Sequence, residues 1–459
     1  MEIISIYNKF NECGVVTTDT RTLKGGEMFF ALKGENFDGN EYALKALELG
    51  ARYAVVNASS EVGKSSDDSR LIKVADTLKT LQELARWHRS MVFVDGHHLP
   101  VVALTGTNGK TTTKELIRAV LSAKYNVTAT EGNLNNSIGV PLTLLKVNSD
   151  TQIAVVEMGA SHPGDIKELV DIALPNYGLI TNVGKAHLLG FGSFDGVKAT
   201  KGELYDYLRR TADKAFINVD NPHLCQMASD RNMQHDPERA ESLLIPYGLE
   251  YQGACVLPSS AEQPFLRISL EGCIINTNLV GSYNADNVMA AIAVGCHFGV
   301  SFEEAVEAIE AYVPSNNRSQ MTRTSRNTLI VDAYNANPTS MAAALENFSN
   351  VSAPVKVAML GDMLELGEDS MAEHVAVIRS VASRSLAHTF FVGKEFISAS
   401  ETLLQSSVQD GVQSSLDGMT FFRTSDDLAQ YLVLHPLADA TVLIKGSRGT
   451  RMEKVIPEL

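Results

Sequence analysis

Short apolar runs alternate with polar, glycine-bearing turns through most of the chain. Val101–Thr105, Ile153–Val156, Leu179–Thr181 and Ala215–Val219 are such runs, with helical stretches between them. Buried strands alternating with helices predict a parallel sheet covered on both faces, with ligands at the carboxyl ends of its strands. A second series, Thr328–Val331, Val355–Leu360, Thr389–Val392, Met419–Phe422 and Thr441–Ile444, predicts another doubly wound sheet. Between them, Phe265–Leu270 and Cys273–Leu279, joined by Glu271-Gly272, predict a hairpin. The first hundred residues read as a small α/β unit. Asn40 is predicted to cap a helix through Ala43, Ala46, Leu47 and Leu49 that ends at Gly50. Asp76 is predicted to cap a second helix with the stripe Leu78, Leu81, Ala85, His88. On that stripe His88 reads as a packed residue. Ser59–Arg70 reads as an exposed loop and Ser229–Glu241 as a surface excursion. Asp95–Pro100, with its solvated His97-His98 pair, and Val313-Pro314-Ser315 break the pattern and predict domain junctions. The expected division is residues 1–97, 98–313 and 314–459, three domains, matching a length of 459 residues at about 150 per domain.

Charge narrows the partners. Lys+Arg 39 against Asp+Glu 54 gives a net charge of −15, which argues against a nucleic-acid partner or an anionic membrane surface. One focused cationic pocket remains compatible with it. Five scattered cysteines without CxxC spacing predict neither a disulfide framework nor a structural zinc site, and suit a reducing compartment. Met1–Phe10 lacks the pattern of a signal peptide, and no apolar run reaches the roughly 18 residues of a membrane span. A cytoplasmic monomer, not embedded in a membrane, is the expectation.

The strongest chemical signal is Thr105-Gly106-Thr107-Asn108-Gly109-Lys110-Thr111-Thr112, placed between the strand Val101–Thr105 and a helix with Ile117, Val120 and Leu121 on one face. Strand, glycine turn and helix start together aim backbone N–H groups at phosphate oxygens. Lys110 would reach the β/γ-phosphates, and the Thr111 hydroxyl would ligate Mg²⁺. The strict P-loop pattern has a further glycine where this chain has Leu104, so the context rather than the pattern carries the reading. Glu157 directly follows Ile153–Val156, and His187 follows the next strand and turn in Asn182-Val183-Gly184-Lys185-Ala186-His187. A carboxylate and an imidazole at the same sheet edge are candidate Mg²⁺ ligands beside a triphosphate.

These segments resemble the Mur ligase family, whose members join a carboxylate to an amine using ATP. The resemblance covers essentially the whole chain and implies three domains: a small N-terminal α/β domain that binds a UDP-linked substrate, a central P-loop parallel-sheet ATPase domain and a C-terminal Rossmann-like doubly wound domain. It implies ATP and Mg²⁺, with Gly106 to Thr112 on the nucleotide and Lys110, His187 and Lys201 in catalysis. Lys201, in Lys198-Ala199-Thr200-Lys201-Gly202-Glu203, is similar to a family lysine that is carbamylated and helps hold a second Mg²⁺. Gly281-Ser282-Tyr283-Asn284-Ala285-Asp286-Asn287 resembles a family segment in which Asn287 would lie near adenine, with Tyr283 where histidine is usual. Asp332 resembles the carboxylate that accepts from the ribose, and Arg318 falls near an arginine that contacts the γ-phosphate. Its setting, Asn316-Asn317-Arg318-Ser319, departs from the usual Gly-Arg.

Within the family, Asp332-Ala333-Tyr334-Asn335-Ala336-Asn337-Pro338, Leu360-Gly361-Asp362-Met363-Leu364-Glu365-Leu366-Gly367 with His374, and Lys445-Gly446-Ser447-Arg448 are similar to one branch. That branch joins D-alanyl-D-alanine to UDP-N-acetylmuramoyl-tripeptide. Asn135 and Asn136, in Gly132–Pro141, would meet the muramoyl peptide; Asn335 and Arg448 would bind the dipeptide. Asp19-Thr20-Arg21 and Phe37-Asp38-Gly39 resemble the uridine-binding segments, which puts Thr20, Arg21 and Asp38 on that ligand. The sister branch that adds the third residue of the peptide usually has Lys-Gly-His-Glu and Asp-Asn-Pro-Arg, and neither occurs here. That sister, a non-catalytic ATP-binding assembly protein and a small-molecule kinase are the competing readings.

Overall fold

The computed structural model describes residues 2–234, 242–259, 263–314, 318–410 and 416–459. Part of the expected excursion (235–241), Ser315 of the second junction, and Asn316-Asn317 lie outside the described residues. Three parallel or mostly parallel sheets follow one another along the chain. The first has four parallel strands in the order Val16–Thr17, Met28–Phe30, Tyr53–Asn57, Leu71–Val74. The second has six parallel strands in the order Leu244–Tyr247, Lys214–Asn218, Tyr177–Ile180, Val101–Thr105, Ile153–Glu157, Val127–Ala129. The third places Gln320–Arg323 antiparallel at the edge, then Thr328–Asp332, Thr441–Lys445, Lys356–Gly361, His388–Val392 and Met419–Phe422, all parallel. A small antiparallel sheet, Cys255–Leu257, Arg267–Leu270 and Cys273–Asn276, contains the expected hairpin.

The central strand shows why the sheet is covered twice. Val101 and Ala103 are buried with Leu144, Ile166 and Leu204 on one face. Val102 and Leu104 are buried with Ile117, Val120 and Val288 on the other. A strand with no polar face needs such double burial. Because Val101–Thr105 sits between Tyr177–Ile180 and Ile153–Glu157, the chain diverges on either side of it, and a crevice opens beyond its carboxyl end.

Two local expectations are corrected. Asn40 does not cap the helix Ala43–Glu48: Asp38 caps the preceding 3₁₀ turn Gly39–Tyr42, accepting from the Asn40 N–H at 2.9 Å. Asn40 is buried and accepts from the Asn57 N–H at 2.8 Å, tying the turn to the sheet. Ser59–Arg70 is not all loop, since Ser60 caps a helix over Glu61–Ser65 by accepting from the Gly63 N–H. Five residues are too few to show the helical period in sequence. Asp76 does cap Thr77–Met91. His88 is buried on that helix, donating Nε2–H to the Val147 carbonyl at 2.7 Å. The neighbouring Arg89 reaches the Leu174 carbonyl at 3.1 Å and Asn176 Oδ1 at 2.9 Å, so this helix joins the first sheet to the second. His97 and His98 are exposed, in a two-strand pairing with Phe93–Val94. All five cysteines are free. Among the described residues no helix is long and apolar enough to cross a membrane.

Candidate active site

A cavity of ≈ 800 Å³ opens where the crevice of the second sheet meets the carboxyl ends of the third. Of the sequence-predicted residues it brings together Thr107, Asn108, Gly109, Lys110, Thr112, Asn135, Asn136, Glu157, His187, Asn287, Arg318, Asp332 and Asn335. The glycine loop makes one wall. Leu104 stands where the usual pattern has glycine because it is still inside the strand and fully buried; the turn begins only at Gly106. Gly106 has φ +144°, and a Cβ there would collide with the Thr181 hydroxyl. Gly109 has φ +79° and caps the helix Lys110–Leu121; a Cβ there would lie 2.6 Å from Asn287 Oδ1. Both positions therefore require glycine. The helix has no acidic residue in its first turn, which leaves its positive end to an anion. Asn182 holds the loop from the next strand: its Oδ1 accepts from the Asn108 N–H at 3.0 Å and its Nδ2 donates to the Asn108 carbonyl at 3.1 Å.

Lys110 folds back over its own loop, with Nζ donating to the Gly106 and Thr107 carbonyls at 2.8 and 3.0 Å. Burial pulls its ammonium down to about 8, with Glu157 opposing the shift and Arg318 adding to it. Glu157 ends its strand and is buried; Oε1 accepts from Thr111 Oγ1 at 3.1 Å and Asn135 Nδ2 at 2.8 Å. Its Oε2 is buried with no hydrogen-bond partner. An anionic oxygen left unpaired beside a threonine hydroxyl is a donor set that fits a hard divalent cation such as Mg²⁺. Lys201 is also buried; its Nζ reaches the Ala160 carbonyl at 3.5 Å and lies 5.3 Å from the Phe191 ring centroid. Burial, then repulsion from Lys110, hold its ammonium well below the usual lysine range. His187 adopts φ +50°, and its Nδ1 pairs with the Glu365 carboxylate from the third sheet. Burial lowers this imidazole, and Glu365 opposes the shift.

The opposite wall comes from the third sheet. Asp332 and Lys445 end adjacent strands in register, and Lys445 Nζ donates to Asp332 Oδ2 at 2.6 Å and to the Asn335 carbonyl at 3.4 Å. Arg318 stacks on Tyr334, its guanidinium carbon 3.7 Å from the ring centroid. Asn287 is braced within the protein: Oδ1 accepts from Thr113 Oγ1 at 2.9 Å, and Nδ2 donates to Asn284 Oδ1 at 2.9 Å. Tyr283 is bonded to Ser319 Oγ at 3.0 Å.

Comparison with known proteins decides the family. The Mur ligase family catalytic-domain profile matches residues 13–89, the Mur ligase middle-domain profile 104–295, and the Mur ligase glutamate-ligase-domain profile 317–448. A UDP-N-acetylmuramoyl-tripeptide–D-alanyl-D-alanine ligase of Bacillus subtilis (strain 168) is 32% identical, covering 97% of this chain and 92% of its own. The chain belongs to the Mur ligase family. Among solved structures, a MurF from Acinetobacter baumannii matches with a TM-score of 0.79 at 29% identity, over 97% of this chain and 92% of that one. A MurF from Thermotoga maritima, solved in complex with ADP, shares the fold with a TM-score of 0.76 at 24% identity, over 97% and 96% of the two chains.

In this Mur ligase some predicted residues stand apart from the cavity. Thr111 and Gly106 lie behind its wall, as does Lys201, which approaches through Ala160. Thr20 and Arg21 lie in the 3₁₀ turn Thr20–Thr22 and Asp38 heads the turn Gly39–Tyr42, both in the connections between strands of the first sheet. Arg21 is exposed and paired with Asp19 at 2.6 Å, while Asp38 is engaged as a cap and pairs with Lys33 at 3.5 Å. Arg448 is exposed at the rim, 5.6 Å from the Tyr334 centroid. Sequence reasoning passed over Lys445, Tyr334, Glu365 and Asn337, although all lie in quoted segments. Their roles come from pairing across strands and domains, which spacing along the chain does not display. Asn337 Nδ2 donates to Asn108 Oδ1 at 2.8 Å, and Lys185 pairs with Glu373 at 2.8 Å. With His187–Glu365, these contacts hold the third sheet against the second around the cavity.

Proposed function

We propose that this Mur ligase joins D-alanyl-D-alanine to UDP-N-acetylmuramoyl-tripeptide at the expense of ATP, an acid–D-amino-acid ligation that yields the UDP-muramoyl-pentapeptide of peptidoglycan synthesis. The observation that carries the reading is the single cavity walled by the Lys110 loop on one side and by Asp332, Asn335 and Lys445 on the other. Such a site can gather a nucleotide and an acceptor that arrive from different domains. Likeness over nearly the whole chain to a UDP-N-acetylmuramoyl-tripeptide–D-alanyl-D-alanine ligase, and the three signature segments of the third sheet, select the acceptor.

In the reaction, an oxygen of the peptide's terminal carboxylate attacks the γ-phosphorus of ATP, and ADP leaves. The dipeptide amine then attacks the acyl carbon, loses a proton, and the tetrahedral adduct expels phosphate together with that oxygen. Lys110 leaves the Gly106 and Thr107 carbonyls to pair with the phosphates, a better partner for a desolvated ammonium than neutral carbonyls. Arg318 adds positive charge where negative charge gathers, and the loop N–H groups are oriented before the substrate arrives. Thr111, Glu157, His187 and a carbamylated Lys201 would hold Mg²⁺. That ion, when bound, neutralises phosphate charge and polarises the transferred group. A neutral Lys201 amine adds CO₂ and releases one proton to become an anionic carbamate, which removes the repulsion between an ammonium and a cation. Asp332 takes the ribose, Asn287 the adenine side, Asn135 and Asn136 the muramoyl peptide, Thr20, Arg21 and Asp38 the uridine end, and Asn335 and Arg448 the dipeptide. We assign the tasks to residues 1–97, 98–313 and 314–459 in a cytoplasmic monomer.

The test incubates the chain with ATP, Mg²⁺, UDP-muramoyl-tripeptide and D-alanyl-D-alanine and weighs the products. UDP-muramoyl-pentapeptide is expected. Product formed only from UDP-muramoyl-dipeptide and a free diamino acid would assign the sister reaction instead, and ATP binding without turnover would indicate an assembly protein.

A further inference from the structure

Arg318 and Arg448 share one aromatic ring. Their guanidinium carbons lie 3.7 and 5.6 Å from the Tyr334 centroid, both within the roughly 6 Å over which a cation is held by the ring's negative face. The three residues come from separate stretches of chain. Arg318 enters just before the edge strand Gln320–Arg323, Tyr334 leaves the strand Thr328–Asp332, and Arg448 follows Thr441–Lys445. The register that sets Asp332 opposite Lys445 carries Tyr334 to the turn that bears Arg448. Arg318 and Tyr334 line the cavity, while Arg448 stands at its rim. Among the described residues neither arginine is ion-paired with a carboxylate, Asp332 on the same wall being taken by Lys445, and Arg318 Nε is buried without a hydrogen-bond partner. Two unpaired guanidinium groups on one ring repel each other, so the arrangement is matched to anions that arrive from outside the chain.

We propose that Tyr334 is a positioning residue that aligns the two anionic ends of the reaction. Its ring holds Arg318 toward the nucleotide phosphates and Arg448 toward the carboxylate of the incoming dipeptide. The assignment of those ligands rests on the proposed function; the role of the ring rests on the stacking geometry. A guanidinium held by a ring face needs the π-system and not the hydroxyl, which gives the proposal a chemical signature.

The test compares Tyr334→Phe and Tyr334→Leu in the full chain. Tyr334→Leu is expected to raise KM for D-alanyl-D-alanine and to weaken ADP binding by titration calorimetry, each by about five- to tenfold. KM for UDP-muramoyl-tripeptide and the melting temperature stay at wild-type values, and Tyr334→Phe restores all parameters. Unchanged dipeptide KM and ADP affinity in Tyr334→Leu would overturn the proposal. So would a Tyr334→Phe variant as impaired as Tyr334→Leu, or a lowered melting temperature with all three substrates weakened together. A wild-type chain that turns over no dipeptide would overturn the functional reading instead, while the ADP titration still reads the ring's hold on Arg318.

Discussion

The side-chain amide of Asn337 donates to Asn108 Oδ1 at 2.8 Å, tying the tip of the glycine loop to the third sheet. Asn337 also caps the helix Pro338–Asn350, with its Oδ1 accepting from the Ser340 N–H. One residue thus starts a helix in one domain and fastens the phosphate loop of another. The two tasks can be separated. Asn337→Ser keeps a good cap but is too short to reach Asn108. Its melting temperature should match wild type, while kcat/KM for ATP falls about five- to tenfold, the worth of one net hydrogen bond. A loss of stability with unchanged kcat/KM would mean that the cap alone matters.

Glu157 keeps a buried carboxylate oxygen without a partner, an arrangement that costs stability in the absence of a cation. Glu157→Gln should therefore melt at or above the wild-type temperature in metal-free buffer. Its ligase activity should fall by about 100-fold or more, because the anionic oxygen that would face Mg²⁺ is gone. Thermal unfolding in EDTA beside a phosphate-release assay checks both halves. A destabilised variant of normal activity would contradict the assignment.

Lys201 is buried with its ammonium disfavoured, which leaves the amine free to take up CO₂. With ¹³C-bicarbonate, the protein should show a carbamate carbon resonance that is missing in Lys201→Ala. Activity of Lys201→Ala should be low and partly restored by short carboxylates such as formate or acetate. Full activity without them would rule out the carbamate.

His88 gives a pH dependence away from the active site. Burial lowers its imidazole below the usual histidine range, so the folded chain holds it neutral while the unfolded chain protonates near pH 6.5. The unfolded state then binds more protons below that pH. The stability contributed by neutral His88 is full above about 6.5 and declines as pH falls toward the lower folded value. His88→Gln keeps a donor for the Val147 carbonyl without titrating. The melting temperature of the wild type relative to that variant should fall between pH 7.5 and pH 5.5. A constant difference across the range would show that the group does not titrate.

The sequence made the central wall legible because its chemistry is local. Gly106, Gly109, Lys110 and Thr111 lie on one turn, and Glu157 and His187 follow strands whose apolar runs are plain. The strands Val127–Ala129, Leu244–Tyr247 and Gln320–Arg323 escaped notice because each is a sheet edge, partly exposed and short, with no continuous apolar run to announce it. Lys445 reads as an ordinary strand-end lysine until the register places it against Asp332. Glu365 reads as an exposed loop acid until the third sheet meets His187. Asn287 was conspicuous through its segment, but the bonds that brace its amide beside Gly109, from Thr113 and to Asn284, show only in the structure. What the chain hides are the contacts made between domains, and these complete the cavity.

The most direct measurement follows oxygen through the ligation. With UDP-muramoyl-tripeptide carrying ¹⁸O in both oxygens of its terminal carboxylate, the chain, ATP, Mg²⁺ and D-alanyl-D-alanine should release phosphate bearing one ¹⁸O per turnover. The other ¹⁸O should remain in the new amide of the pentapeptide. That outcome requires the carboxylate and the γ-phosphate to meet in the cavity between the Lys110 loop and Asp332. Phosphate free of ¹⁸O would contradict it, because ATP would then have been hydrolysed without an acyl phosphate.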